Sequence, residues 1–262
     1  MIFCQGSGAN TYDNRREIDG KRFNYFDLFA DEFCKLIFMG VSEGSTLIPF
    51  AAKECSEVAG LLLLGFSYEN MREPLNWQLS GGSSIINMCK YFGCSPKGYI
   101  DRADFILDQY NIRPSLFSDI KFEDLDLDGD GKITEKDFAL QLSDYRKQVF
   151  QAIEDNDDEW LRNHYSVQIT SKWCKEHFAL PAVSSAVCSL TIPIYIFQGE
   201  DDANIPISDI EKMRKDFDKT GRDNLYIFTF LRHDHDLNFL DYIFAGTVSE
   251  GLQCVFDKAQ LI

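Results

Sequence analysis

The chain has 262 residues, 45% of them hydrophobic and 26% charged, which is enough for one sizeable core and too apolar for a disordered chain. Its 26 Lys and Arg against 42 Asp and Glu leave a net charge of −16 at pH 7. Phosphate backbones and anionic bilayers are bound by clustered cations, so this balance speaks against a nucleic-acid partner and against membrane docking.

Residues 1–5 read as a short buried strand, and Gly6 to Asn10 as a turn. Phe26, Phe29, Ala30 and Phe33 recur with a helical period, which predicts a helix over 23–34. Leu36 to Met39 is a second strand, Gly40 to Gly44 a tight turn, and Ser45 to Val58 a helix. Leu61 to Gly65 is wholly apolar and reads as a buried strand, like Ile192 to Phe197 and Leu225 to Phe230; 207–217 is helical between the last two. Strands alternating with helices imply an α/β fold with a mostly parallel sheet covered on both faces. Residues 67–190 break that rhythm with a polar, helical pattern. The expected organisation is a core of 1–66 and 191–262 with an inserted helical cap of 67–190, without internal repeats.

No apolar run approaches the roughly 20 residues that cross a bilayer, and the N-terminus has no charged segment followed by a long apolar one. Eight scattered cysteines without a CxxC pair read as reduced thiols. A cytoplasmic protein is expected. Met1 lies directly against a strand, so an upstream piece could be missing.

Gly40-Val41-Ser42-Glu43-Gly44 matches G-x-S-x-G between a predicted strand and a predicted helix. Such a turn lifts a serine hydroxyl above the sheet, and glycines two residues to either side avoid clashes with strand and helix. A serine nucleophile needs a base, and the base an orienting acid, in the chain order Ser, Asp or Glu, His. The loop after Ile192–Phe197 offers Glu200, Asp201 and Asp202; Gly199 and Pro206 frame Asp202, with Asp201 as runner-up. The loop after Leu225–Phe230 holds two of the four histidines. His235 is preferred over His233, because Leu237 and Phe239 would anchor it, and Asp234 and Asp236 favour its charged form. His164 and His177 fall in the cap and read as surface residues. The oxyanion donors expected are the backbone N–H groups of Glu43 and Ser7, the latter between Gly6 and Gly8.

These segments (Gln5 to Gly8, Gly40 to Gly44, Gly199 to Pro206, His235 to Asn238) resemble the α/β-hydrolase superfamily. The likeness is greatest to bacterial serine esterases and peptidase-like hydrolases of the dienelactone-hydrolase and prolyl-oligopeptidase type. The resemblance implies an acyl-enzyme mechanism on a small ester or short peptide, with no catalytic cofactor. The chain departs from the family by lacking two strands before the oxyanion loop. It also leaves only residues 9–35, room for one helix, between that loop and the nucleophile.

Residues 126–137 fit an EF-hand loop. Asp126, Asp128 and Asp130 fill its first three ligand positions, Gly131 the sharp turn, Lys132 the carbonyl position and Asp137 the last. Aspartate at the last position predicts weaker calcium binding, or more tolerance of magnesium, than glutamate. No second loop is legible, and a structural calcium in the cap is the expectation. The alternative function is a catalytically silent calcium-binding module; a peptidase or acyltransferase of the same fold is a further one.

Overall fold

The computed structural model describes residues 2–4, 15–24, 26, 36–108, 110–112 and 120–261. In chain order it contains β1 (Ile2–Cys4), β2 (Arg15–Ile18), β3 (Lys21–Asn24), β4 (Phe38–Val41), α1 (Glu43–Lys53) and β5 (Leu61–Leu64). A helical segment follows, with α2 (Arg72–Leu79), α3 (Gly82–Phe92), β6 (Ile100–Asp101), α4 (Arg102–Leu107), β7 (Lys132–Ile133), α5 (Glu135–Gln141), α6 (Ser143–Asp155), α7 (Asp158–His164), α8 (Ser171–Ala179) and α9 (Val183–Val187). The chain then returns through β8 (Ile194–Gly199), α10 (Ile207–Thr220), β9 (Leu225–Phe230), α11 (Phe239–Ala245) and α12 (Glu250–Ala259).

The fold is α/β. Five parallel strands form the main sheet in the order β1-β4-β5-β8-β9, with β1 and β9 at its edges among the described residues. Successive strand residues face opposite sides, so Leu61 to Leu64, all fully buried, feed two cores. Leu62 and Leu64 pack with Met39, Phe197 and the α12 residues Leu252, Val255 and Phe256. Leu61 and Leu63 pack with Ile196, Ile48 of α1 and Met213 of α10. Burying each such leucine contributes about 2 kcal/mol.

The N-terminal region differs from expectation. Residues 23 and 24, expected to open a helix, belong instead to the strand 21–24, which pairs antiparallel with β2. Asp19 and Gly20, both at positive φ (51° and 75°), make the turn. Asp-Gly favours such tight hairpin turns, whose twist matches that of the strands. The rest of the predicted helix lies outside the described residues, apart from Phe26. Strand β4 starts later and runs into the motif, because Gly40 and Val41 pair with Leu63 and Leu64 of β5, and Gly40 also pairs with Cys4 of β1. The turn is therefore reduced to Ser42, and α1 begins at Glu43.

The helical segment contains a repeat that the sequence reading missed. Gly98-Tyr99-Ile100-Asp101-Arg102-Ala103-Asp104-Phe105 aligns without a gap on Gly131-Lys132-Ile133-Thr134-Glu135-Lys136-Asp137-Phe138 and shares its Gly, Ile, Asp and Phe. Both glycines have positive φ, Ile100 pairs with Ile133 across β6 and β7, and both isoleucines are fully buried. Asp101 with Asp104, and Thr134 with Asp137, form capping boxes on the following helices. Phe92, Phe105, Phe122, Leu125 and Phe138 fill one core between the two loops. The first loop escaped notice because its leading ligand positions hold Gly93, Ser95 and Lys97 in place of aspartates. There Lys97 Nζ binds Asp101 at 2.7 Å and Asp104 at 2.5 Å, an ammonium placed among the loop's own carboxylates.

Candidate active site

The ends of β4, β5, β8 and β9 meet along one rim, where open parallel sheets place their ligands. Ser42 follows β4 with φ 56° and ψ −127°, a backbone conformation that costs a non-glycine residue about 1–3 kcal/mol. Its N–H donates to Leu64 O at 2.9 Å, and its carbonyl accepts from Ser45 N at 2.9 Å and Ser45 Oγ at 2.5 Å. A Cβ on Gly40 would lie 2.5 Å from Gly44 O, so a side chain there would push α1 off the strand. The first N–H groups of α1, that of Glu43 included, have no acceptor one turn back in the helix.

Asp202, 1% exposed, uses both oxygens. Oδ1 accepts from Asn204 N at 2.7 Å and Ile205 N at 3.0 Å; Oδ2 accepts from Gln198 Nε2 at 2.5 Å and pairs with His235 Nδ1 at 2.8 Å. Asp201 instead turns its N–H to His233 O. Burial by itself pushes His235 down, but the charge and hydrogen bond of Asp202, with Asp236 and Asp234 behind them, outweigh it and raise the imidazole from 6.5 to about 9. His235 Nε2 is buried and has no hydrogen-bond partner. His235 itself lines a cavity of about 240 Å³, together with Ser42 and Glu43 from the rim. Met71, Leu75, Tyr165, Val167, Ile169 and Trp173 line it from the helical segment.

His233 stands apart from this arrangement. Its Nδ1 meets Leu231 O at 3.0 Å, and its Nε2 accepts from Gly251 N at 3.3 Å, which pins the loop to α12. Leu237 (0% exposed) and Phe239 (3%) hold the other side of the loop in the core. Ser7 lies outside the described residues.

Several contributors were not legible in the sequence. Gln198 joins two strand ends: its Nε2 binds Asp202 while its Oε1 accepts from Phe66 N at 3.1 Å. Its signal was a lone amide within an apolar strand. Gly65, at φ +55°, gives its missing side chain's place to the imidazole; a Cβ there would lie 2.5 Å from His235 Cε1. His177 is a correction: it is buried, not a surface residue, because its Nε2 pairs with Glu43 Oε1 at 2.7 Å. His164 is exposed and stacks on Trp160.

In the acidic loop, carboxylate oxygens of Asp126, Asp128 and Asp130 lie within 4.8 Å of one another. Asp126 Oδ2 accepts from Gly131 N, and its Oδ1 is buried without a hydrogen-bond partner. Asp137 is not in this group. Its Oδ1 accepts from Leu127 N and Asp128 N, its Oδ2 from Thr134 N and Thr134 Oγ1. Burial acts to raise Asp137, but these amide bonds prevail and hold it below the usual carboxylate range. Lys132 gives its N–H to Asp130 and lays its ammonium over the Tyr99 ring.

Neither a protein-family model nor a curated protein sequence matches the chain. Among solved structures it is similar to Est1E from Butyrivibrio proteoclasticus (12% identity, TM-score 0.36, covering 90% of this chain and 63% of that one). It is also similar to a lipase in its open form (13%, 0.39, 85% and 62%) and to a thermophilic esterase from Thermogutta terrifontis (12%, 0.38, 91% and 69%). The chain thus spans less than two thirds of the length of Est1E and of the lipase. No helix among the described residues is long and apolar enough to cross a membrane.

Proposed function

We propose that the chain is a serine hydrolase that cleaves a small carboxylic ester through an acyl-enzyme, with Ser42 as nucleophile, His235 as base and Asp202 as orienting acid. The observation that carries this reading is the 2.8 Å bond from His235 Nδ1 to Asp202, which leaves a buried, partnerless Nε2 on a residue that lines the same cavity as Ser42. Ser42 Oγ attacks the carbonyl carbon while its proton passes to Nε2. The oxyanion is stabilised by the Glu43 N–H and by a second donor from the loop after β1, for which Ser7 is the candidate. The tetrahedral intermediate collapses, and the leaving alcohol takes the proton from Nε2. Water, activated by the same nitrogen, then releases the acid and restores Ser42.

A fluorophosphonate probe with p-nitrophenyl esters tests this proposal. The folded chain should be labelled and should hydrolyse short esters, and Ser42→Ala should lose both. An unlabelled, inert wild type would favour the silent cation-binding module. A peptidase or acyltransferase would use the same groups, and partitioning of the acyl group onto added thiols or alcohols would reveal transfer.

For the acidic loop we propose a divalent cation, calcium by the all-oxygen chemistry of the donors, held by Asp126, Asp128 and Asp130 as a structural staple. The buried, unpartnered Asp126 Oδ1 supports this reading, since a carboxylate oxygen out of water without a donor is costly. The Lys132 carbonyl, at the position where such loops give a backbone oxygen, would complete the set. Asp137 would act through the amides it holds.

A further inference from the structure

The residue after Ser42 offers more than a backbone N–H. Glu43 is the first residue of α1, and 11% of its side chain is exposed. Its Oε1 accepts from Trp173 Nε1 at 3.0 Å and pairs with His177 Nε2 at 2.7 Å. Both partners stand on one face of α8, four residues apart, with ring centroids 4.2 Å from each other. A carboxylate next to a developing oxyanion would oppose it. Two N–H groups on one of its oxygens draw that charge towards the helical segment.

Trp173 also belongs to the cavity wall, with Met71, Leu75, Val167 and Ile169. Because its indole is held by a part-buried hydrogen bond rather than by packing alone, the wall is tied to the turn that carries the nucleophile. At about 240 Å³ the cavity is below the roughly 300 Å³ at which drug-sized pockets begin. We infer that Glu43 is a positioning residue that sets acyl-chain length: its carboxylate clamps Trp173 in the cavity wall and so restricts the site to short acyl groups. The inference rests on the hydrolase reading above and adds to it a substrate class and the residue that enforces it.

The test compares p-nitrophenyl acetate, butyrate and octanoate on the full chain, Glu43→Gln and Glu43→Leu, with Trp173 emission read on the same proteins against a Trp173→Phe control. The wild type should prefer the short esters. Glu43→Gln keeps an oxygen acceptor and should retain the chain-length ratio, whatever its absolute rate. Glu43→Leu should release the indole, with red-shifted Trp173 emission and an octanoate-to-acetate ratio of kcat/KM raised by about tenfold, chiefly through KM. A folded Glu43→Leu protein with wild-type emission and an unchanged ratio overturns the inference. Should that variant not fold, Trp173→Phe removes the N–H together with the five-membered ring of the indole and should move the ratio the same way; no movement there overturns it too. If the wild type neither labels with fluorophosphonate nor cleaves any ester, the hydrolase reading has failed, and emission alone still decides whether Glu43 holds Trp173.

Discussion

The strand-end rim and the helical segment solve the burial of polar groups in different ways. At the rim, parallel strands fix the backbone first. Asp202 then finds four donors, from Gln198, Asn204, Ile205 and His235, without leaving its loop or the neighbouring strand ends. In the helical segment two loops of one pattern diverge: Lys97 brings its own positive charge to the first, whereas the second gathers three carboxylates and leaves Asp126 Oδ1 without a partner. Rim geometry is therefore set by covalent connection and strand pairing. The second loop instead brings like charges together, and the cation proposed for it would neutralise them.

The rim should break hardest. Asp202→Asn should lower kcat by about 10,000-fold, since an amide no longer enforces the tautomer that leaves Nε2 free to accept a proton; a loss below tenfold would remove Asp202 from the mechanism. The same pairing sets the pH profile. The base must be neutral, so kcat/KM of the wild type should rise with pH and level off above about 9, where His235 loses its proton. In Asp202→Asn the midpoint should fall, because burial then acts with less opposition. The sign for stability is opposite: the raised imidazole contributes in full below 6.5, and that contribution is lost as pH rises through about 9. Urea midpoints across that range, wild type against His235→Ala, should converge at high pH.

A smaller rim effect is expected from Gly65→Ala. The new methyl would stand 2.5 Å from His235 Cε1, on a backbone at φ +55°, so the imidazole must move. A displacement of about 1 Å costs about 100-fold in rate, and fluorophosphonate labelling should slow accordingly; wild-type labelling would show that the ring is placed by other contacts.

In the helical segment, chelating divalent ions should lower the melting temperature by several degrees, and Asp126→Ala should remove that sensitivity. A chelator-insensitive wild type would leave the two loops equivalent. The smallest change belongs to Lys97→Gln, which removes an exposed ammonium. Asp101, which the bond to Lys97 holds at about 2, should titrate nearer its usual value, and the melting temperature should fall slightly, more at low salt. NMR titration of Asp101 checks the first, and melting curves at two ionic strengths the second.

Much of the fold was legible because burial writes itself into sequence. A continuous run such as Leu61 to Leu64 has no polar face, so both its sides must be covered, and the strand at 225–230 was bounded by turn residues at each end. The hairpin at 15–24 was obscured by its charged residues, which leave no apolar alternation to read. The repeat of loops was obscured by chemistry, since Lys97 replaces an acid by its opposite while the glycine, isoleucine and capping pattern persist. At the candidate site the sequence named residue types in order, but it carried no sign that Gln198 would bridge two strand ends.

The amino-acid order alone fixed the alternation of strands and helices, the glycines that let α1 approach β4, and the acidic spacing of 126–137. These follow from contacts within a few residues along the chain. The 2.8 Å contact of Asp202 with His235, the burial of His177 on Glu43, and the bond that holds Trp173 to Glu43 were decided only by tertiary structure. Each joins residues more than thirty positions apart, and such distances are set by how sheet and helices pack, not by local preference.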